Sequence, residues 1–253
     1  MNLFLKVAFL FLVGSFIGWV MELFFRRMIS NKEWINPGFL VGPCLPIYGF
    51  GICTFYLISG IQLSDFWIIV IMALTVTFIE YIGGLIFIKG MGIKLWDYSK
   101  NFGNIQGLIC PLYTIIWGIL GAIYYYIAHP IVIGILPILD NNTLLTFIIG
   151  FFYGIMVVDL VYSAQLVVKI RKFAKEKGLI VKYEEFKSSI LQYAEKHKEK
   201  YSFVFAISNN VKKIEEHLNE YKNLQIERTN EIKNTIKDKV KSISKNDEGD
   251  KNI

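Results

Sequence analysis

Cysteine is scarce in this 253-residue chain and carries no pattern. Cys44, Cys53 and Cys110 are an odd set, with no C-x-x-C and no metal-ligand spacing. That argues against a disulfide framework or a zinc module and leaves the thiols as small apolar packing residues. H-E-x-x-H, G-x-S-x-G and a Cys/His nucleophile pair are missing, so the sequence offers no catalytic residues, no metal site and no cofactor site. Charge is the other shortage. Residues 1–168 hold seven Lys/Arg and seven Asp/Glu; residues 169–253 hold 20 and 14 and so carry the whole net +6. The chain is 54% hydrophobic and 19% charged, with mean hydropathy +0.44, whereas a soluble domain is about 45–50% apolar and about 25% charged. A single soluble globule, a disordered chain and a nucleic-acid-binding domain are thereby excluded. The composition is that of an integral membrane protein with a charged tail, and its first partner is the lipid bilayer.

A bilayer core about 30 Å thick needs roughly 20 apolar residues per helix. Five stretches qualify: 3–25, 40–60, 66–88, 107–128 and 143–168. The expected fold is therefore all-α and polytopic, with residues 1–168 as a transmembrane domain and 169–253 as a cytoplasmic charged helical tail. The first stretch continues to Phe25 without a small-residue cleavage site and reads as a retained helix. Loops 26–39 and 89–106 carry Arg26, Arg27, Lys32, Lys89, Lys94 and Lys100, and the tail opens with five further bases. The alternate loops, 61–65 and 129–142, have neither Lys nor Arg. The positive-inside rule then places the N-terminus outside and the C-terminus in the cytoplasm. Segment 129–142, with Pro130 and Pro137, is expected to lie at the outer interface or to dip in as a re-entrant piece.

The tail is soluble in character. Val211, Ile214, Leu218 and Tyr221 recur at helical spacing, and Ile232, Ile236, Val240 and Ile243 continue the stripe across Gln225 and Arg228. An earlier helix, about 183–207, holds the apolar cluster Phe203 to Ile207, and the stretch from Lys245 has a disordered composition. The tail reads either as an arm for a cytoplasmic protein or anionic lipid, or as a solvated hairpin or oligomerisation helix that would make a homo-oligomer.

Charges inside spans cost about 2.5–3.5 kcal/mol at the helix centre on translocon scales, so each needs a reason. Glu22 follows Gly14 and Gly18 at steps of four and has Arg26 one turn on, a favourable i,i+4 pair. Glu80 sits on a small-and-polar stripe with Ala73, Thr77 and Gly84, roughly 12 Å from Ile88 at 1.5 Å per residue. Asp159 has Tyr162 and Ser163 one turn on. No Lys, Arg or His occupies the middle of a span, so Glu80 and Asp159 must be protonated, hydrogen-bonded, reached by a snorkelling base, or face a cavity or cation. Glu22, Glu80 and Asp159 are candidates both for a polar pathway and for a structural core.

Residues 36–51 hold Pro37, Pro43 and Pro46 and four glycines, so a kinked or partly unwound start to the second span is expected. Trp96-Asp97-Tyr98-Ser99 has the aromatic flanking of an interfacial anchor. A weak internal repeat sets Pro43 on Pro111, Asn36 on Asn104 and, one residue shifted, Tyr48-Gly49 on Trp117-Gly118, with Glu22 and Glu80 each preceding its Asn. Two parallel two-helix units plus a fifth helix would account for it.

The ordered set Gly18-Trp19 with Glu22, Asn36 to Pro43 (including Gly38, Phe39 and Gly42), Pro46 to Gly49 with Tyr48, Glu80-Tyr81, Trp96-Asp97-Tyr98, Asn104 with Gly107, and Trp117-Gly118 resembles the bacterial family named putative ABC-transporter type IV, or CmpB-like. The resemblance covers about residues 4–160. It departs from the family pattern at Pro37, Ile88 and Leu108, where an Arg, an acid and an Arg are usual. The resemblance implies a multi-pass transport protein of the bacterial cytoplasmic membrane. A bias towards Lys, Ile and Asn over Arg and Ala fits an AT-rich bacterial genome. Because G-x-x-x-x-G-K-[ST] is missing, the resemblance implies a permease or accessory subunit whose ATPase is a separate subunit. Two other readings stay open: a non-transporting scaffold or regulator that recruits a partner through its tail, and an intramembrane lipid enzyme centred on Asp97.

Overall fold

The computed structural model describes residues 3–30, 34–139, 142–177, 180–183, 185–189, 218–219, 221–227, 229–231 and 233. Met1–Val211 form one compact unit and Lys212–Ile253 a second, whose described residues are helical. The Phe203–Ile207 cluster and the stretch from Lys245 lie outside the described residues.

In the first unit, α1 (Leu3–Phe25) widens into a π-helical turn at Arg26–Ser30. After an irregular segment come α2 (Pro46–Ser59) and α3 (Asp65–Leu85), which ends in a second π turn at Ile86–Met91. Strand β1 (Ile93–Lys94) opens a folded loop that leads to α4 (Pro111–Ile123). A third π turn (Tyr124–Ala128), α5 (His129–Ile135) and a 3-10 turn (Leu136–Leu139) extend that helix. Helix α6 (Thr143–Lys177) is capped by the Asn142 side chain, which accepts the Leu145 N–H at 3.0 Å. Strand β2 (Val181–Lys182) then pairs in parallel with β1, Ile93 opposite Val181 and Lys94 opposite Lys182.

Among the described residues, four helices are long and apolar enough to cross a membrane: Leu3–Met28, Asp65–Met91, Pro111–Leu139 and Thr143–Phe173. The stretch 40–60, expected as one span, is helical only over the 14 residues of α2, about 21 Å at 1.5 Å per residue. The reason is local. Pro43 and Pro46 supply no N–H, Gly38 sits at φ +80°, and Pro46 occupies the first turn, where proline is tolerated. Of the segment 129–142, expected at the outer interface or as a re-entrant piece, residues 129–139 prolong α4. Pro130 cannot donate to the carbonyl four residues back. That carbonyl lies in the Tyr124–Ala128 π turn, where the helix has already widened, so it bends rather than ends.

Helix α1 packs on α2, α3 on α4, and α2 on α3, while α6 touches α1. One apolar core joins Phe55, Ile58, Ile68, Met72, Val76 and Trp117 between α2, α3 and α4. A second joins Ala8, Leu10 and Cys53 to Leu136, Leu139 and Ile149. Large side chains on α6, such as Phe151, Phe152, Val158 and Val168, point outward, an arrangement suited to lipid rather than water.

The α1–α2 contact depends on missing side chains. A Cβ at Gly18 would fall onto Cβ and Cγ of Tyr48, whereas one at Gly83 meets nothing within 4 Å. Gly18→Ala is therefore expected to cost about 1–3 kcal/mol through overpacking. Gly83→Ala, in a helix interior, should be neutral or stabilising by up to about 1 kcal/mol. Thermal unfolding of the two variants in detergent checks the contrast; equal midpoints would refute it.

Candidate functional site

The two helix pairs are built alike at the end that carries the basic loops. In the first, Glu22 on α1 accepts the Arg26 guanidinium at 2.9 Å through one oxygen and the Tyr48 hydroxyl of α2 at 2.9 Å through the other. Trp19 Nε1 donates to Asn36 Oδ1 at 2.6 Å, and Asn36 Nδ2 donates to the Val41 carbonyl at 2.6 Å, which braces the linking segment. In the second pair, Glu80 on α3 accepts Trp117 Nε1 of α4 at 3.1 Å and the Tyr98 hydroxyl at 2.9 Å. Asn104 braces that linking loop: its Nδ2 donates to the Ser99 and Asn101 carbonyls, and its Oδ1 accepts the Gly107 N–H at 3.0 Å. With Pro43 set against Pro111, α2 starts three residues later than α4, because its first turn is unwound.

The pairs meet through their aromatic donors. Tyr48 and Trp117 lie 5.3 Å apart between ring centroids, so a chain of polar and aromatic groups runs Glu22–Tyr48–Trp117–Glu80–Tyr98. Tyr98 stacks on Tyr113 at 4.1 Å, and Thr77 bonds Thr114 at 3.2 Å one turn along from Glu80. Burial, and then the Glu80 carboxylate, push the Tyr98 hydroxyl well above its ordinary range, so it stays a donor. Glu80 is 4% exposed and, among the described residues, makes no ion pair. A carboxyl so placed takes a proton, holds a cation, or keeps its charge on neutral hydrogen bonds alone.

Asp159 is engaged differently. Its two oxygens accept the amides of Val41 at 3.0 Å and Gly42 at 2.9 Å, and Ser163 Oγ donates to it at 3.2 Å. It clamps the irregular segment before α2 and does not join the Glu22–Glu80 chain. Lys187 completes the clamp from the other polarity: its ammonium donates to the Asn36 and Gly38 carbonyls at 2.5 and 2.9 Å and lies over the Tyr183 ring. Phe39 packs edge-on to Phe87 at 5.2 Å, and the Leu45 amide reaches the Ser15 carbonyl at 3.0 Å. No feature of the sequence marks Lys187 among the many bases of the charged tail.

The remaining motif residues shape the two linkers. Trp96 Nε1 donates to the Leu108 carbonyl at 2.8 Å, and the Tyr98 amide donates to the Gly107 carbonyl. Gly107 sits at φ +68° with Lys94, Ser99 and Asp97 crowded against its missing Cβ. Gly49 faces Ser15, a Cβ at Gly118 would lie 3.5 Å from the Ala73 Cβ, Tyr81 is half-buried and Pro43 is exposed.

Asp97 accepts Lys94 at 2.6 Å, Lys182 at 3.0 Å, and both the amide and the hydroxyl of Ser99. Partial burial opposes its charge, but these hydrogen bonds outweigh it and hold the carboxyl well below the usual aspartate range. Asp97 raises Lys182 in return. A depressed folded value means that Asp97 stabilises the loop above about 3.9, the ordinary aspartate value, and that this contribution fades as pH falls towards the folded value. Protection of the Tyr98, Asn101 and Val181 amides, measured by hydrogen exchange and corrected for intrinsic rates, should drop on acidification. In Asp97→Asn it should be lower at neutral pH and lose most of that pH dependence; an unchanged profile would contradict the assignment.

No curated protein and no solved structure matches the chain. The family model described as "Putative ABC-transporter type IV" matches residues 9–164, a region that takes in both helix pairs, both braced linkers and Asp159. The chain therefore belongs to the putative ABC-transporter type IV family of transporter-related membrane proteins.

Proposed function

We propose that this chain is the membrane-embedded part of a transport system, a permease or accessory subunit that relies on a separate ATPase. The family supports a transport context, and the sequence holds no phosphate-binding loop of its own. The distribution of Lys and Arg supports an orientation with the N-terminus outside and the C-terminus cytoplasmic, in a bacterial cytoplasmic membrane. Residues 1–168 act as the transmembrane domain and 169–253 as a cytoplasmic tail open to a partner protein or a second copy.

The observation that carries this reading is Glu80. Glu22 has Arg26, and Asp159 has two backbone amides, so both charges have structural partners. Glu80 has a phenol and an indole. Neutral donors hold a carboxyl in place without cancelling its charge, and that leaves it able to exchange a proton or bind a passing cation. Glu22, joined to it through Tyr48 and Trp117, is the second acid of the route.

Proton and sodium uptake into liposomes containing the full chain, with any co-purifying ATPase, tests this. Glu80→Gln keeps the acceptor and Glu80→Ala removes it. Both are expected to lower flux at least about tenfold, equivalent to about 1.4 kcal/mol in the barrier. Flux unchanged in both would remove Glu80 from the mechanism.

A further inference from the structure

The described residues that follow α6, from 180 onward to 189, pack on the membrane unit. Val181 is 0% exposed, Tyr183 2%, Phe186 0% and Lys187 5%. They touch both linkers at once. On the linker between α3 and α4, β2 pairs with β1, the Val181 amide donates to the Gly92 carbonyl at 3.1 Å, and Lys182 meets Asp97 at 3.0 Å. On the linker between α1 and α2, Lys187 holds the Asn36 and Gly38 carbonyls. The first of these linkers delivers Tyr98 to Glu80, and the second leads through Asn36 to Trp19, one turn from Glu22.

We propose that residues 180–183 and 185–189 are a strap that ties the two linkers together and closes the Glu22–Glu80 site from the end that carries the basic loops. Three kinds of contact argue for a strap rather than a chance fold-back. Backbone pairing fixes its register at one end. A buried ammonium fixes the other end, and it sits on carbonyls of the irregular backbone of residues 36–38 for which it is the partner shown among the described residues. Between them, Tyr183 and Phe186 are fully packed. Helix α6 feeds this segment and also carries Asp159, which grips Val41 and Gly42 of the same linker. A shift of α6 would therefore pull on the strap and the linker together. Lifting the strap frees the loop that carries Tyr98 and gives water a path to Glu80.

The strap acts on the site proposed above and rests on that reading for its role, but its test does not require transport. The full chain in lipid nanodiscs is treated with a water-soluble carbodiimide and glycine ethyl ester, and amide formation at Glu80 is followed by mass spectrometry. Wild type is expected to label slowly. Lys187→Met and Lys182→Glu should each label at least threefold faster, and Lys187→Arg, which keeps a cationic donor, should restore protection. Lys175→Met, an exposed base on α6, controls for charge and should label as wild type; Glu80→Gln gives the blank. If Lys187→Met does not fold, Lys182→Glu decides alone, because its side chain is 44% exposed and the change repels Asp97. Equal rates in wild type and the folded strap variants, or an equal rise in Lys175→Met, would overturn the proposal. Labelling that responds while flux ignores Glu80 leaves the strap standing and removes the transport reading; the reverse result removes the strap alone.

Discussion

Irregular backbone inside a hydrocarbon layer must find every hydrogen-bond partner within the protein, and this requirement organises the structure. Helix α2 is 14 residues long, and the irregular segment before it has no helix to satisfy its amides and carbonyls. Asp159 takes two amides, Asn36 one carbonyl, Lys187 two carbonyls, and the Ser15 carbonyl takes the Leu45 amide. A buried amide or carbonyl left unpaired costs roughly 1–3 kcal/mol. That cost accounts for the Asp159, Asn36 and Lys187 side chains that meet this segment.

This accounting separates the acids. Asp159 serves a backbone and Glu22 serves a base, while Glu80 is surrounded by an indole and a phenol that ask nothing of its charge. The repeat makes the contrast sharper. Both helix pairs place a glutamate against an aromatic donor of the partner helix, but only the first supplies an arginine one turn away. The second instead lends Tyr98 from a loop whose shape depends on Asp97, Lys94 and the left-handed Gly107. The site at Glu80 is thus only as rigid as that loop, and the loop is tied to the segment that follows α6.

What could be read from the residues follows interaction range. The Glu22–Arg26 pair was legible because one helical turn fixes the distance. The need of Glu80 and Asp159 for partners was legible from cost, but not the partners: Trp117 and Tyr98 lie on other elements, and Asp159 binds amides, which leave no residue signature. The unwound start of α2 follows from Pro43, Pro46 and Gly38. Continuity of the helix through Pro130 is not legible, because proline removes a helix hydrogen bond and so suggests an interruption, whereas a π turn absorbs it here. Lys187 was invisible because a lysine in a charged tail looks like any other, and only its fold-back onto carbonyls distinguishes it.

In the proposed function, Asp159 holds the fold while Glu80 carries the transport role. Thermal unfolding of Asp159→Ala and Glu80→Gln, measured side by side in the same detergent, tests it most directly. Asp159→Ala, which orphans the Gly42 amide and leaves the Val41 amide only Ser163 Oγ at 3.3 Å, should lose about 2 kcal/mol or more; Glu80→Gln, whose amide oxygen still accepts from Trp117 while its NH2 donates to the Tyr98 hydroxyl, should unfold within about 0.5 kcal/mol of wild type. A Glu80→Gln variant as damaged as Asp159→Ala, or an undamaged Asp159→Ala, would contradict the account.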